Sequence, residues 1–180
     1  MGVLAPSTNM PSSKFLKPKN LDAIKQHTTF EIKMAIRHLD AGHFTNPDTT
    51  YYGAPQQLNA GNDILGHPHF VIEQLSSVSS TDVSDPSQFV YFQGVDTAAD
   101  GDGNVSVNMT NGLPAGTYKL SSINSSANHA PVLVAVAQHG TLDDQIYVRV
   151  SINSATYFGS AFLGLQFFVT KNGKRPKKFV

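Results

Sequence analysis

Phe30, Ile32, Met34 and Ile36 alternate with Glu31, Lys33, Ala35 and Arg37, which is the period-two pattern of a half-buried strand, so residues 27–39 are predicted to be one. A helical stripe through Leu21, Ile24, Ile32, Ala35, Ile36 and Leu39 leaves Phe30 and Met34 off its face, which restricts any helix to a short piece starting at Leu21. Further along, short apolar and β-branched runs recur between turn residues. They occupy 69–75, 88–95, 105–109, 117–123, 131–138, 145–152 and 161–170. No helical period of useful length follows residue 40. Short strands at this spacing predict an all-β fold, and the expectation is a jelly-roll-like β-sandwich.

The segments between and around these runs divide the chain. Residues 1–26 begin with Pro6, Pro11 and Pro18 among Ser, Asn and Lys, a composition that neither nucleates a helix nor fills a core, so an extended N-terminal arm is expected. Its scattered apolar residues, Val3, Leu4, Met10, Phe15 and Leu16, suggest docking onto another subunit. Residues 41–66, rich in Asn, Asp, Thr, Gly, Pro and Tyr, form a long loop of the kind that is functional or packed against something. The β domain spans 27–170 and a basic tail occupies 171–180. A chain of 180 residues accommodates one such domain with appendages and excludes two large ones.

Charge sharpens this division. The net charge is zero, yet eleven of the thirteen Lys and Arg lie in residues 1–37 and 171–180. The body between them carries eleven acids against Lys119 and Arg149. Basic ends on an acidic body suit contacts with further copies of the chain, as a dimer or trimer, or with an acidic partner surface. The expected partner-binding residues are Lys14, Phe15, Leu16, Lys17 and Lys19 in the arm and Lys174, Arg175, Lys177 and Lys178 in the tail. Nucleic acid is set aside, because basic residues interleaved with stacking aromatics are missing apart from Phe179. No apolar run approaches the roughly 18–20 residues of a membrane span, and the opening lacks the order of a secretory signal, so a soluble, unprocessed chain with no membrane contact is expected.

Candidate chemistry is sparse. Cys is absent, which removes disulfides, thiol catalysis and Cys-based zinc sites. Neither a nucleophile elbow nor a phosphate-binding loop is present, and Asp143 and Asp144 diverge if placed on a strand, so no enzymatic activity is expected. Asp96, Asp100, Asp102 and Asn104 form a partial match to a calcium loop, making calcium the one cofactor considered; the same residues around Gly101 and Gly103 also suit a tight turn, which is the favoured reading. His67-Pro68-His69 places two imidazoles on one side of a strand, with His38 and His43 upstream. Without Cys or nearby acids in a ligand pattern, surface or packing histidines are favoured over a metal site.

Leu113-Pro-Ala-Gly116-Thr-Tyr118-Lys-Leu120, then Asp144-Gln-Ile146-Tyr147-Val148-Arg-Val150, then Ala155-Thr-Tyr157-Phe158-Gly159-Ser-Ala-Phe162-Leu163 resemble the C1q/TNF-like jelly roll. That resemblance implies a β-sandwich that trimerises through an apolar face and binds carbohydrate or a receptor. In overall organisation, the basic arm, Cys-free jelly roll and basic tail resemble small structural proteins of tailed-phage virions, including capsid decoration (cement) proteins. This second resemblance implies a non-enzymatic subunit on the capsid surface, assembled in the host cytoplasm and gripping the major capsid protein or another virion protein through its arms. A minor capsid, collar or tail component is the alternative within that class.

Overall fold

The computed structural model describes residues 1–152. It is all-β, with one short 3-10 turn at Ser7–Asn9 and nine strands: β1 Ser12–Lys17, β2 Ala23–Lys25, β3 Phe30–Arg37, β4 Leu39–Ala41, β5 Ile64–Leu75, β6 Tyr91–Gly94, β7 Asn104–Met109, β8 Gly116–Ser126 and β9 Gln145–Ser151. One sheet has the order β1-β3-β7; the larger has β2-β9-β8-β5-β4, with β6 also pairing with β5. The pairs β2–β9 and β4–β5 are parallel and the rest antiparallel.

Alternation determines which faces meet. Ile32, Met34 and Ile36 of β3 turn inward, as do Ile146, Val148 and Val150 of β9, and both sets join one core with Phe70, Ile72, Tyr118 and Leu120. Phe15 of β1 meets Phe70 of β5 across the two sheets at a ring-centroid distance of 5.6 Å. The opposed pair Glu73 and Lys119, 2.7 Å apart and largely buried, pins the register of β5 on β8.

Several expectations need correcting. The short helix from Leu21 is instead strand β2, held parallel to β9, since its three residues gain backbone partners there that an isolated turn lacks. Residues 131–138 form no strand and make only single bridges, Ser125 with Pro131 and Ala5 with Val134. Residues 69–75 are the second half of a longer strand. β5 runs through Pro68, which has no N–H to donate, opposite Asn124, whose carbonyl accepts the Val132 amide instead. The N-terminal arm is extended, but it lies on its own body. β1 pairs with β3, the Asp144 carboxylate accepts the Phe15 amide at 2.8 Å, and Phe15 is only 3% exposed. The expected strand 161–170 and the tail 171–180 lie outside the described residues.

The long loop is tied down at both ends and across its middle. β4 pairs with the start of β5, Leu58 bridges to Ile64, and His43 and Thr45 donate their amides to Gly66 and Ala127. The loop therefore crosses the ends of β5 and β8, where it roofs the cleft described next.

Candidate functional site

β5 carries His67 and His69 at positions i and i+2, so both rings leave the same face of the sheet. Beyond the end of β8 the chain reverses: Ser126 bonds Ala130, and His129, at a left-handed φ of 70°, swings its ring back over β5. The ring centroids of His67 lie 4.7 Å from those of both His69 and His129. One nitrogen from each of the three lies within 4.8 Å of the others.

The hydrogen bonds define the tautomers, because a carbonyl oxygen only accepts. His67 Nδ1 donates to the His43 carbonyl at 3.0 Å, and His129 Nε2 donates to the Thr45 carbonyl at 2.7 Å. In the neutral rings the remaining nitrogens, His67 Nε2 and His129 Nδ1, carry lone pairs, and these two atoms face each other at 3.1 Å. His69 Nδ1 lies 3.2 Å from Ser125 Oγ and 3.4 Å from the Ile123 carbonyl. Burial pulls His67 below the usual imidazole range and His129 adds to this, against the His43 carbonyl and Asp96. Burial lowers His69 to about 4, with His67 and His129 acting in the same direction.

Above this floor opens a cleft of about 500 Å³ whose rim includes Phe44, Tyr51, Tyr52 and Phe92. Tyr51 stacks on the His129 ring at 5.0 Å and 6°, Phe44 meets His67 edge-on at 6.1 Å, and Phe92 leans on His69 at 5.0 Å. The four rim rings are nevertheless about half exposed. Gly94 of β6 faces His69 and keeps this wall open; a Cβ there would lie 3.3 Å from Asp96 Oδ1 and 3.6 Å from the His69 ring. Asp96 thus supplies the acid of the cleft wall.

Asp96 stands apart in role from the other residues weighed for calcium. Asp100 Oδ1 accepts the amides of Asp102 and Asn104 and the Asn104 side-chain amide, and its Oδ2 pairs with Lys33 at 3.2 Å. The Asp100 carboxylate is committed to closing its own turn. Of the histidines singled out with His67 and His69, His38 pairs with Asp63 at 2.9 Å, and His43 contributes a carbonyl to the cluster, with its ring toward Asp40. The third ring is His129, sixty-odd residues downstream in an Asn-His-Ala turn that carries no spacing signal; only the fold brings it in.

Within the chain, the expected partner-binding residues of the arm make the following contacts. Phe15 is in the core, Lys14 pairs with Asp144 at 3.2 Å, and Lys17 pairs with Glu31 at 2.9 Å. Leu16 remains partly exposed, and the Lys19 amide closes a turn on Asp22. Lys174, Arg175, Lys177 and Lys178 lie outside the described residues. Asp143 and Asp144 diverge: Asp143 accepts from Ser122 Oγ and the Asn124 amide, and burial raises its carboxyl.

Residues 13–151 match the family model for the CLU5d N-terminal domain. Over 145 residues, 80% of this chain, the sequence is 39% identical to Pathogenicity cluster 5 protein d of the fungus Colletotrichum graminicola. The chain spans 30% of that relative's length. These matches overturn the expected kinship with phage decoration, minor capsid, collar or tail proteins, and with it the placement on a virion surface. They equally remove the C1q/TNF-type reading. The motifs behind it, a Gly-x-Tyr strand and alternating Ile146, Val148 and Val150, are the chemistry of any turn-entered, half-buried strand. Its third motif, at 155–163, falls beyond the described residues.

Proposed function

The chain belongs to the CLU5d N-terminal domain family, and from that premise we propose that it is a non-catalytic recognition module that holds a small molecule in the aromatic-rimmed cleft. The observation that carries this reading is the half-exposure of Phe44, Tyr51, Tyr52 and Phe92 around one concavity. Rings left in water at this density have apolar area still to bury, and a concave arrangement with a polar floor is the usual form of a small-ligand site. A cleft of about 500 Å³ suits a ligand with a flat apolar body against the rings and a hydrogen-bonding head toward Asp96 and the histidines. Support for the non-catalytic part comes from Ser125, the hydroxyl beside His69 at 3.2 Å: it is only 1% exposed, which leaves little room for the approach that a nucleophile needs.

Saturation-transfer NMR against a set of flat aromatic fragments tests the reading. Fragments should show transfer with the wild-type protein and lose it with the Tyr52→Ala/Phe92→Ala variant, which removes two of the four half-exposed rim rings. No transfer from any fragment, or transfer unchanged in the variant, would sink it.

A further inference from the structure

The geometry points to the floor of this cleft as a binding site for a divalent d-block cation of the zinc class, with His67 Nε2, His129 Nδ1 and a nitrogen of His69 as ligands. Two lone pairs facing each other at 3.1 Å repel unless a positive charge lies between them. Neither ring can relieve the conflict by exchanging tautomers, because His67 Nδ1 and His129 Nε2 would then turn lone pairs on the His43 and Thr45 carbonyls.

That pattern is how proteins prepare imidazole for a metal. A ligating histidine usually donates its other N–H to a carbonyl or carboxylate, which sets the ring's orientation and raises its basicity. Here both carbonyls come from one stretch of the roofing loop, two residues apart. With metal–nitrogen bonds of about 2.0–2.1 Å, tetrahedral ligands sit roughly 3.4 Å apart, so the His67–His129 pair is already at coordinating separation and His69 has only a small distance to close. Neutral nitrogen donors favour zinc, copper or nickel over calcium or magnesium, which prefer oxygen. Three protein ligands leave a fourth position facing the cleft, and Asp96 on its wall offsets part of the ion's charge.

This inference does not rest on the small-molecule reading, and its test uses metal alone. The full chain, stripped with chelator, is titrated with zinc by calorimetry at neutral pH and with cobalt by visible absorption. One equivalent should bind with a Kd of about 1 µM or tighter, and cobalt should give the intense bands of a four-coordinate site. Copper and nickel arms rank the ions within the class; calcium and magnesium should give no heat. His129→Ala, at a partly exposed turn, should weaken zinc by more than the roughly 10–100-fold that loss of an outer partner costs. His67→Gln should do the same, its circular dichroism confirming the fold, while His38→Ala binds as wild type. Absence of zinc binding, or equal binding by His129→Ala and wild type, overturns the site. So does ¹⁵N NMR in which a proton shared by His67 and His129 persists in excess zinc.

Discussion

Replacing Phe15 by Ala separates an arm that belongs to the fold from one that reaches elsewhere. The side chain is 3% exposed and its ring contacts Phe70 of the opposite sheet. Returning a buried phenyl group to water costs about 1.5–3 kcal/mol. A residual cavity of roughly 100 Å³ at about 24 cal/mol per Å³ adds about 2 kcal/mol, which together fall in the range of about 3–5 kcal/mol seen for such truncations. Against a total stability of about 5–15 kcal/mol this is a large share. Urea unfolding followed by circular dichroism should show the midpoint falling by about 2 M if the slope is near 2 kcal/mol per M, with the slope unchanged. Leu16→Ala, at a neighbouring position that is 38% exposed, should cost under about 1 kcal/mol. A Phe15→Ala protein within about 1 kcal/mol of wild type would refute the reasoning, because it would mean that residues 12–17 do not close the sandwich.

Three further outcomes follow from particular contacts. The amide of Asn104, with its side chain, Lys33 and Asp102, holds the Asp100 carboxyl at about 2, so NMR should find it titrating there; its stabilising contribution is complete above the ordinary carboxylate pKa and lost as pH falls through about 2, and titration in the ordinary range would contradict the turn geometry. In the metal-free protein, burial keeps the folded His69 near 4, helped by His67 and His129 against the Ile123 carbonyl and Asp96, while the unfolded chain protonates near 6.5. Stability should therefore fall with acidification from 6.5 toward 4, and His69→Gln should flatten that slope in denaturant titrations; identical slopes would show that the ring is not buried as described. A Cβ at Gly66 would strike the Ser125 carbonyl on the paired strand and crowd Leu39, so Gly66→Ala should lower the melting temperature sharply, whereas Gly101→Ala, with open space around it, should leave it nearly unchanged.

Strands with one wet and one dry face were legible: β3 and β9 alternate over their whole length, and the runs at β7 and β8 needed only their flanking turns. β1 was not, because Phe15 is its only buried side chain and a single inward residue makes no period. β2 and β4, three residues each, exist through parallel pairing with strands distant in sequence, which no local pattern records. In the site, the i, i+2 spacing of His67 and His69 announced a shared face correctly, but the choice of His38 and His43 as companions followed chain proximity. Proximity delivered a carbonyl from His43, while the third imidazole came from the reversal beyond β8, through contacts between residues 62 apart. The resemblances failed for a related reason: strand and turn chemistry is common to many β families, and kinship lay in the chain taken as a whole.

The roof of the cleft imposes a spacing rule on the chain. His43 and Thr45 hold two different rings from alternate positions of one irregular segment, whose next residues turn back through Asn46 and Thr50. Inserting a residue between 43 and 45 would shift one carbonyl off its imidazole and scramble both orientations, whatever the residue inserted. Lengthening the exposed tip around Asp48 leaves the two anchors in phase. A designer grafting this loop, or a comparison across the family, should therefore find length tolerated at the tip and forbidden between the two anchors, with side-chain identity at 43 and 45 mattering less than their separation.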